Sequence, residues 1–294
     1  MDSTLYVIVL NWNGKKVLGP CLASLAKVTD PPIETIVVDN ASLDGSADIV
    51  WQEAPGAELI VNVRNLLFAE GNNVGLRRAM ERGGRLFLLL NNDTDVDPSF
   101  AARMVAALRS DPKAGIVGPK IVYDDDPKRI WYGGGGFYPF LWVPRHDHIR
   151  KIDGSFPERG GETRWVSGCA MLVTREVIDA IGLLDPSYTI YCEDVDFCLR
   201  ARRAGWKCLY EPSALVRHKV SSSSGGGMTP FKLENRIAST CRLIARFKPL
   251  WWRILMAPVQ GAAFVFLLLA LLVSARIDLL RAALRGASRI ARRR

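Results

Sequence analysis

Four short apolar runs, each closed by polar residues and followed by a helix-like pattern, constrain this chain more than any other feature. They lie at 4–10 (TLYVIVL), 33–38 (IETIVV), 57–63 (AELIVNV) and 85–90 (RLFLLL). Runs this short and this apolar are strands buried on both faces, as in a parallel sheet. Between them Val17, Leu18, Leu22 and Leu25 share one helical face, 44–53 and 70–82 read as helices, and Pro98 opens another with Asp97 as its cap. Strand and helix alternate about every 20–30 residues. That spacing predicts parallel βαβ units, and so an α/β chain with a doubly wound, mostly parallel central sheet.

The alternation loosens after about residue 112. Residues 115–170, with Gly133–Gly136, several prolines and many aromatics, read as an irregular substrate-side segment on the same sheet. Residues 193–204 read as a helix, 207–219 as one or two strands, and Ser221–Gly227 (SSSSGGG) has the composition of a flexible loop. A boundary near residue 228 divides a catalytic body, 1–228, from a helical tail, 229–294.

The 294 residues carry a formal net charge of +9, and it sits in that tail. From Glu234 onward 12 Lys/Arg face only Glu234 and Asp278, a net of +10, so the preceding 233 residues net −1. A neutral body argues against the basic groove of a nucleic-acid enzyme. In the tail, 22 uncharged residues (254–275) run between Arg253 and Arg276, next to Trp251 and Trp252. As a helix that stretch is about 33 Å long, bilayer-sized, with an aromatic boundary and arginines on both flanks. It predicts a membrane-associated segment on an anionic surface, the equal flanks favouring a re-entrant or in-plane course. The chain opens on a strand pattern with no basic-then-apolar leader. Its six cysteines lack C-x-x-C spacing and read as reduced, mostly buried thiols rather than zinc ligands.

In an open α/β sheet, ligands bind beyond the carboxyl ends of the strands. Here those ends carry Asn11-Trp12-Asn13, Asp39-Asn40 and Asn91-Asn92-Asp93-Thr94-Asp95. An acid ending the second strand suits a ribose hydroxyl or a base N–H. No G-x-G-x-x-G follows the first strand and no G-x-x-x-x-G-K-[ST] occurs, which argues against dinucleotide and P-loop chemistry. Asp93 and Asp95 suit Mg²⁺ or Mn²⁺ bridging a diphosphate, the alternative being loop solvation and helix capping. Glu193-Asp194-Val195-Asp196 opens a helix, where the dipole alone stabilises acids; the functional alternative is a general base that deprotonates an acceptor hydroxyl. His218 is either a structural histidine or a third metal ligand.

Seven blocks follow in order over residues 5–225: VIVLNWNG, VVDNASLDGS, FAEGNNVG, LLLNNDTDVDP, WVSGCAMLVTREV, CEDVDFCLRARRAGW and VRHKVSSSSG. The set resembles inverting glycosyltransferases of family 2, which have the GT-A nucleotide-diphospho-sugar transferase fold, in their rhamnosyltransferase-like branch. The resemblance implies that Asp39 holds the nucleoside base, with Asn11, Trp12, Asn13 and Asn40 along it. It implies that Asn65, Asn72, Asn73 and Asn92 border the nucleotide. Asp93 becomes the main metal ligand, Asp95 a second candidate and His218 the third ligand. Asp194 becomes the catalytic base with Glu193 adjacent, and Trp165 and Gly168 line the acceptor side. Where the family usually has N-x-G-F, this chain has Asn65-Leu66-Leu67-Phe68.

The implied activity is Mn²⁺- or Mg²⁺-dependent transfer of a sugar, rhamnose first, from dTDP-rhamnose or a UDP-sugar. The acceptor would be a hydroxyl of a saccharide or polyprenyl-diphosphate-linked saccharide, in cell-envelope polysaccharide synthesis at the cytoplasmic face of the plasma membrane. A non-enzymatic, membrane-anchored sugar-binding scaffold and a sugar-1-phosphate nucleotidyltransferase are the alternatives. The latter needs a Gly-rich basic phosphate loop after the first strand, of which Asn13-Gly14-Lys15-Lys16 is a poor version.

Overall fold

The computed structural model describes residues 4–220 and 227–289. The first half alternates as expected: β1 (Leu5–Asn11), α1 (Leu18–Leu25), β2 (Ile33–Asp39), α2 (Ser46–Glu53), β3 (Glu58–Val61), α3 (Leu67–Glu81), β4 (Leu86–Asn91), the short β5 (Thr94–Val96) and α4 (Phe100–Arg109). Then follow β6 (Ala114–Tyr123), β7 (Ile130–Tyr132), β8 (Gly135–Phe137), β9 (Pro144–His146), β10 (Gly161–Thr163), β11 (Ala170–Thr174), α5 (Arg175–Ile181), α6 (Glu193–Arg203) and β12 (Lys207–His218). Three helices end the described chain: α7 (Pro230–Phe247), α8 (Leu250–Val273) and α9 (Ile277–Ser288).

The main sheet has ten strands in the order β10-β12-β6-β11-β4-β1-β2-β3, with β5 on β12 and β7 on β6. β4, β1, β2 and β3 are parallel neighbours, and the register aligns Leu10 with Asn91 and Asn11 with Asp39. The polar clusters predicted at the strand ends therefore fall along one edge of the sheet.

The segment 115–170 is more regular than its composition implies. It contains β6, ten residues long and mostly buried, and β11 begins at its end and runs antiparallel between β4 and β6. Glycines break the apolar pattern of β6 because the covering layer occupies their side-chain space. A Cβ at Gly115 would lie 2.3 Å from Val177 Cγ2, and one at Gly118 would lie 2.5 Å from Val166 Cγ1. Residues 207–218 form one strand, β12, whose register slips between Glu211 and Leu215, around Pro212. α4 starts two residues after Pro98: Asp97 instead makes a turn, its Oδ1 accepting from the Ser99 N–H at 2.9 Å.

The chain divides into two compact units. The first comprises 4–136, 146–186 and 193–220 and holds the main sheet; the second comprises 137–145, 187–192 and 227–289 and holds α7, α8 and α9. The expected apolar stretch 254–275 is helical through α8 and turns at Ser274. Residues 221–226 of the Ser/Gly run, and the basic Arg292, Arg293 and Arg294, lie outside the described residues. All six cysteines are free thiols, five of them buried.

α3 packs on the sheet through Gly71 and Gly75, one turn apart. A Cβ on Gly75 would lie 2.5 Å from Ile8 Cγ2 and 3.1 Å from Val38 Cγ2. Helix propensity alone would make Gly75→Ala stabilising by about 1 kcal/mol. Overpacking against a strand that cannot retreat outweighs it, so a net loss of about 1–3 kcal/mol is expected in urea denaturation. A stabilised variant would show that α3 does not approach the sheet this closely.

Candidate active site

The carboxyl edge of the sheet is braced by Asn11. Its Nδ2 donates to Asp39 Oδ2 at 2.7 Å and to Ser46 Oγ at 2.8 Å, and its Oδ1 accepts from Asn92 Nδ2 at 2.7 Å. Asp39, 1% exposed, accepts from the Ser42 N–H at 2.8 Å on its other oxygen. Asn40 bridges further out: its Nδ2 donates to Leu67 O at 3.1 Å and its Oδ1 accepts from Asn62 Nδ2 at 2.8 Å. Asn11, Asn40 and Asn92 were expected along the nucleotide. Their amides are instead engaged in holding the strand ends together. Each Asp39 oxygen still has an acceptor site left for a ligand. The exposed residues of this rim are Trp12 and Asn13; the Asn13 side chain itself accepts from the Leu43 N–H at 2.9 Å.

Gly14 is a part of this edge that motif reading passed over. A Cβ there would lie 2.2 Å from Asn11 Oδ1 and 2.3 Å from Asn92 Nδ2, on top of their hydrogen bond. The cue was the glycine directly after N-W-N.

On α3, Asn65 Oδ1 accepts from the Leu67 N–H at 2.7 Å, and Leu67 holds φ +64°. The left-handed turn that the usual glycine would make is thus kept by a leucine. Two residues expected to border the nucleotide have their amides engaged within the fold. Asn72 is buried and donates to Phe68 O within its own helix. Asn73 brackets Leu184, donating to its carbonyl at 2.9 Å and accepting from its N–H at 3.1 Å. Both amides are turned into the fold by the helical period.

Of the acids at 93–95, one faces the histidine. His218 Nε2 lies 3.0 Å from Asp93 Oδ1, both side chains being buried. Asp95, the second candidate ligand, lies on a different face of its strand. β5 pairs antiparallel with β12 so that Asp95 sits opposite Arg217 and Thr94 opposite His218. Alternation along a strand puts Asp95 on the other face, where it is 42% exposed and 3.9 Å from Arg217. Trp131 is an addition: its ring meets His218 edge-on at 4.6 Å and His146 at 4.4 Å. Burial opposes a charge on His218, but Cys169 and Asp93 beside it outweigh burial and push its pKa up to about 10.

Among the described residues no three His, Cys, Asp or Glu side chains converge as a metal cluster. The pair Asp93 and His218 nevertheless fits a divalent ion. A carboxylate oxygen and an imidazole nitrogen 3.0 Å apart form a mixed donor set that suits Mn²⁺ better than Mg²⁺.

The second acidic knot opens α6, and its three acids do different things. Asp196 is fully buried and paired with Arg200 at 2.7 Å, whose guanidinium also donates to Ile181 O and Leu183 O; it is structural. Asp194 Oδ2 accepts from the Gly168 N–H at 2.9 Å and its Oδ1 from the Val195 N–H at 2.8 Å. Burial raises the Asp194 pKa against the pull of those two donors. Glu193, buried and with no hydrogen-bond partner for Oε2 among the described residues, is pushed up to about 8 by burial and by the charge of Asp194. Gly168 is required by contact: a Cβ would lie 2.9 Å from the Phe68 ring and 3.4 Å from Asp194 Cβ. Trp165 is corrected as an acceptor-lining residue. It is buried, its indole N–H donates to Gly136 O at 2.9 Å, and its carbonyl accepts from Tyr132 Oη at 2.7 Å.

The raised Glu193 pKa makes stability depend on pH. The folded state keeps a proton that the unfolded chain loses above about pH 4.5, so stability is highest below that pH and falls as pH rises to about 8. The steepest loss for one such group is about 1.4 kcal/mol per pH unit. Glu193→Gln should gain on the wild type steadily from pH 5 to pH 8 in urea titrations. A stability difference that does not vary with pH would place Glu193 in water.

Comparison with known proteins places this geometry. The family model "Glycosyltransferase like family 2" matches residues 3–237. The N-acetylglucosaminyl-diphospho-decaprenol L-rhamnosyltransferase of Mycobacterium tuberculosis is 27% identical over 275 residues, 86% of this chain and 88% of that one. The dTDP-rhamnosyl transferase RfbF of Shigella flexneri is 24% identical over 231 residues, 76% of this chain and 72% of that one. Among solved structures, a mannosyltransferase from Pyrobaculum calidifontis in complex with GDP-Man and Mn²⁺ superposes with a TM-score of 0.55 at 17% identity, over 96% of this chain and 85% of that one. The fold is the GT-A glycosyltransferase fold. The chain belongs to glycosyltransferase family 2.

Proposed function

We propose that this glycosyltransferase moves a sugar, rhamnose first among candidates, from a nucleoside-diphosphate donor to a hydroxyl of a saccharide or lipid-linked saccharide, inverting the anomeric centre. One observation carries the reading: the Asp194 carboxylate, fixed by the Gly168 and Val195 amides and made more basic by burial. Deprotonating a weakly acidic hydroxyl needs a base that is both aimed and raised in pKa. The names of the mycobacterial and Shigella relatives support rhamnose as the sugar and dTDP as the carrier. The decaprenol-linked acceptor of the former, with the apolar helix α8, supports a lipid-linked acceptor and work at the cytoplasmic face of the plasma membrane.

Asp194 takes the proton of the acceptor hydroxyl. The freed oxygen attacks the anomeric carbon on the side opposite the diphosphate, whose bond to that carbon breaks. Asp39, with the rim residues Trp12 and Asn13, orients the nucleoside. Asp93 and His218 would hold a divalent ion, which when bound would supply Lewis-acid stabilisation to the departing diphosphate. Trp131 keeps the imidazole of His218 in place by edge contact.

Asp194→Asn should lower kcat at least about 10²-fold while leaving donor affinity unchanged, measured by diphosphate release and by calorimetry with the nucleotide sugar. Normal turnover removes Asp194 from the base role. Asp93→Ala should abolish the gain in donor affinity that Mn²⁺ confers on the wild type. An unchanged Mn²⁺ effect in that variant places the metal elsewhere.

A further inference from the structure

The second unit bears on how α8 meets a membrane, a question that the length of the helix leaves open. α8 is 24 residues long, has a mean hydropathy of 2.3 in its most apolar window, and buries none of its residues fully. At 1.5 Å per residue it is about 36 Å, enough to cross a bilayer. Its two faces nevertheless differ along its whole length. Trp251, Leu255, Val259, Phe266, Leu269 and Val273 are exposed, at helical spacing. Met256, Gln260, Phe264, Leu268 and Leu271 are half-buried, on the opposite stripe.

That inner stripe is tied down at its start, middle and end. At the start the Lys248 ammonium lies 4.9 Å from the Trp252 ring. In the middle Gln260 Nε2 donates to Leu141 O at 3.3 Å. At the end Phe264, Leu268 and Leu271 pack on a cluster of Leu233, Leu279 and Ala283. Leu233 belongs to the first turn of α7 and Leu279 and Ala283 to α9, so the C-terminal half of α8 packs on α9 and on the start of α7. α9 closes on the same helix: a Cβ on Gly286 would lie 2.6 Å from Glu234 O, and Glu234 pairs with Arg285 at 2.8 Å and Arg289 at 2.7 Å.

A spanning α8 would take its companions with it. Packed on its C-terminal half, α9 and the start of α7 carry Arg281, Arg285, Glu234 and Arg236, and each charge at the middle of a bilayer costs about 2.5–3.5 kcal/mol or more. The irregular, exposed segment 138–142, held at Gln260, would sit at the depth of the acyl chains, where non-helical backbone facing lipid is not tolerated. Lying flat avoids both penalties. The outer stripe then enters the boundary between headgroups and chains, while α7 and α9 stay on the water side with their arginines near the headgroups.

We propose that α8 is an in-plane anchor: it lies along the surface of an anionic bilayer with its outer face immersed and does not cross it. This rests on the membrane attachment proposed above and adds its geometry. The occupant of the apolar face is lipid rather than a second copy of the chain, because the net +10 of the tail matches an anionic surface and repels its own duplicate.

The test uses the full chain with Cys241→Ser, the half-buried thiol, and single cysteines at Ile254, Ala262 and Leu269 labelled with an environment-sensitive fluorophore. Vesicles of phosphatidylcholine with about one third phosphatidylglycerol are added, with depth-graded quencher lipids. An in-plane helix places all three labels at one shallow depth, about 5–10 Å into the boundary. A span puts Ala262 deepest, near the bilayer centre, and overturns the proposal. Co-sedimentation separates this from failure of the attachment itself. Binding should need phosphatidylglycerol, weaken at least tenfold between 0.1 and 0.5 M salt, and drop at least tenfold in Phe266→Glu. Binding that survives salt and alkaline carbonate overturns the in-plane reading. No binding to either vesicle, with label burial through dimers in sedimentation velocity, overturns the attachment and the anchor together.

Discussion

A carboxamide buried at the end of the first strand ties the carboxyl edge of the sheet together. Asn11 engages both hydrogens of its nitrogen, on Asp39 and Ser46, and its oxygen takes a hydrogen from Asn92. Four pieces of chain that meet where water is excluded are thus satisfied by one side chain. Without it the Asp39 carboxylate keeps its burial and loses a donor, a loss of about 1–3 kcal/mol. Aspartate there would put two buried carboxylates side by side, and any β-carbon on Gly14 would push the amide off its partners. Asn40 repeats the device one strand further out, where it holds the start of α3 through Leu67 O.

On that frame two acidic pockets follow opposite electrostatics. Asp93 faces the His218 imidazole at 3.0 Å, and His218 is pushed toward its charged form. Glu193 and Asp194 share a buried helix start whose only compensation is backbone N–H, and both resist ionisation. The buried Cys169 thiol, itself pushed up by burial, senses His218, Asp93 and Asp194 together, so the pockets are neighbours. Carboxylates whose environments push them apart can divide labour: one holds charge, the other moves a proton.

Much of this was legible in the residues. The parallel strands and the polar ends they align follow from apolar runs alone, because a strand buried on both faces has no other composition. β6 was not legible, since Gly115 and Gly118 serve the layer above it rather than the strand itself. Neither was the inclusion of 137–145 and 187–192 in the second unit, which depends on contacts distant in sequence. Within the site, the family resemblance singled out Asp93, Asp194 and His218, and the structure sets Asp93 beside His218 and Asp194 on the Gly168 amide. The resemblance did not separate Asp95 from Asp93, because that distinction is set by the strand paired opposite. Nothing in the sequence pointed to the partners that Trp165, Asn72 and Asn73 find inside the fold. Trp131 had no motif around it at all.

Leu67 shows what holds a motif's shape when its glycine is gone. A leucine at φ +64° carries roughly 1–2 kcal/mol of backbone strain, maintained by Asn65 on its N–H and Asn40 on its carbonyl. The turn is therefore held by its neighbours against the side chain's own preference. That side chain is exposed at the rim of the carboxyl edge. An unbranched residue substituted at 67 would thus change the bulk and polarity of this rim while Asn65 and Asn40 keep the main chain beneath in place. Leu67 is a position where the surface can change with little demand on the fold under it.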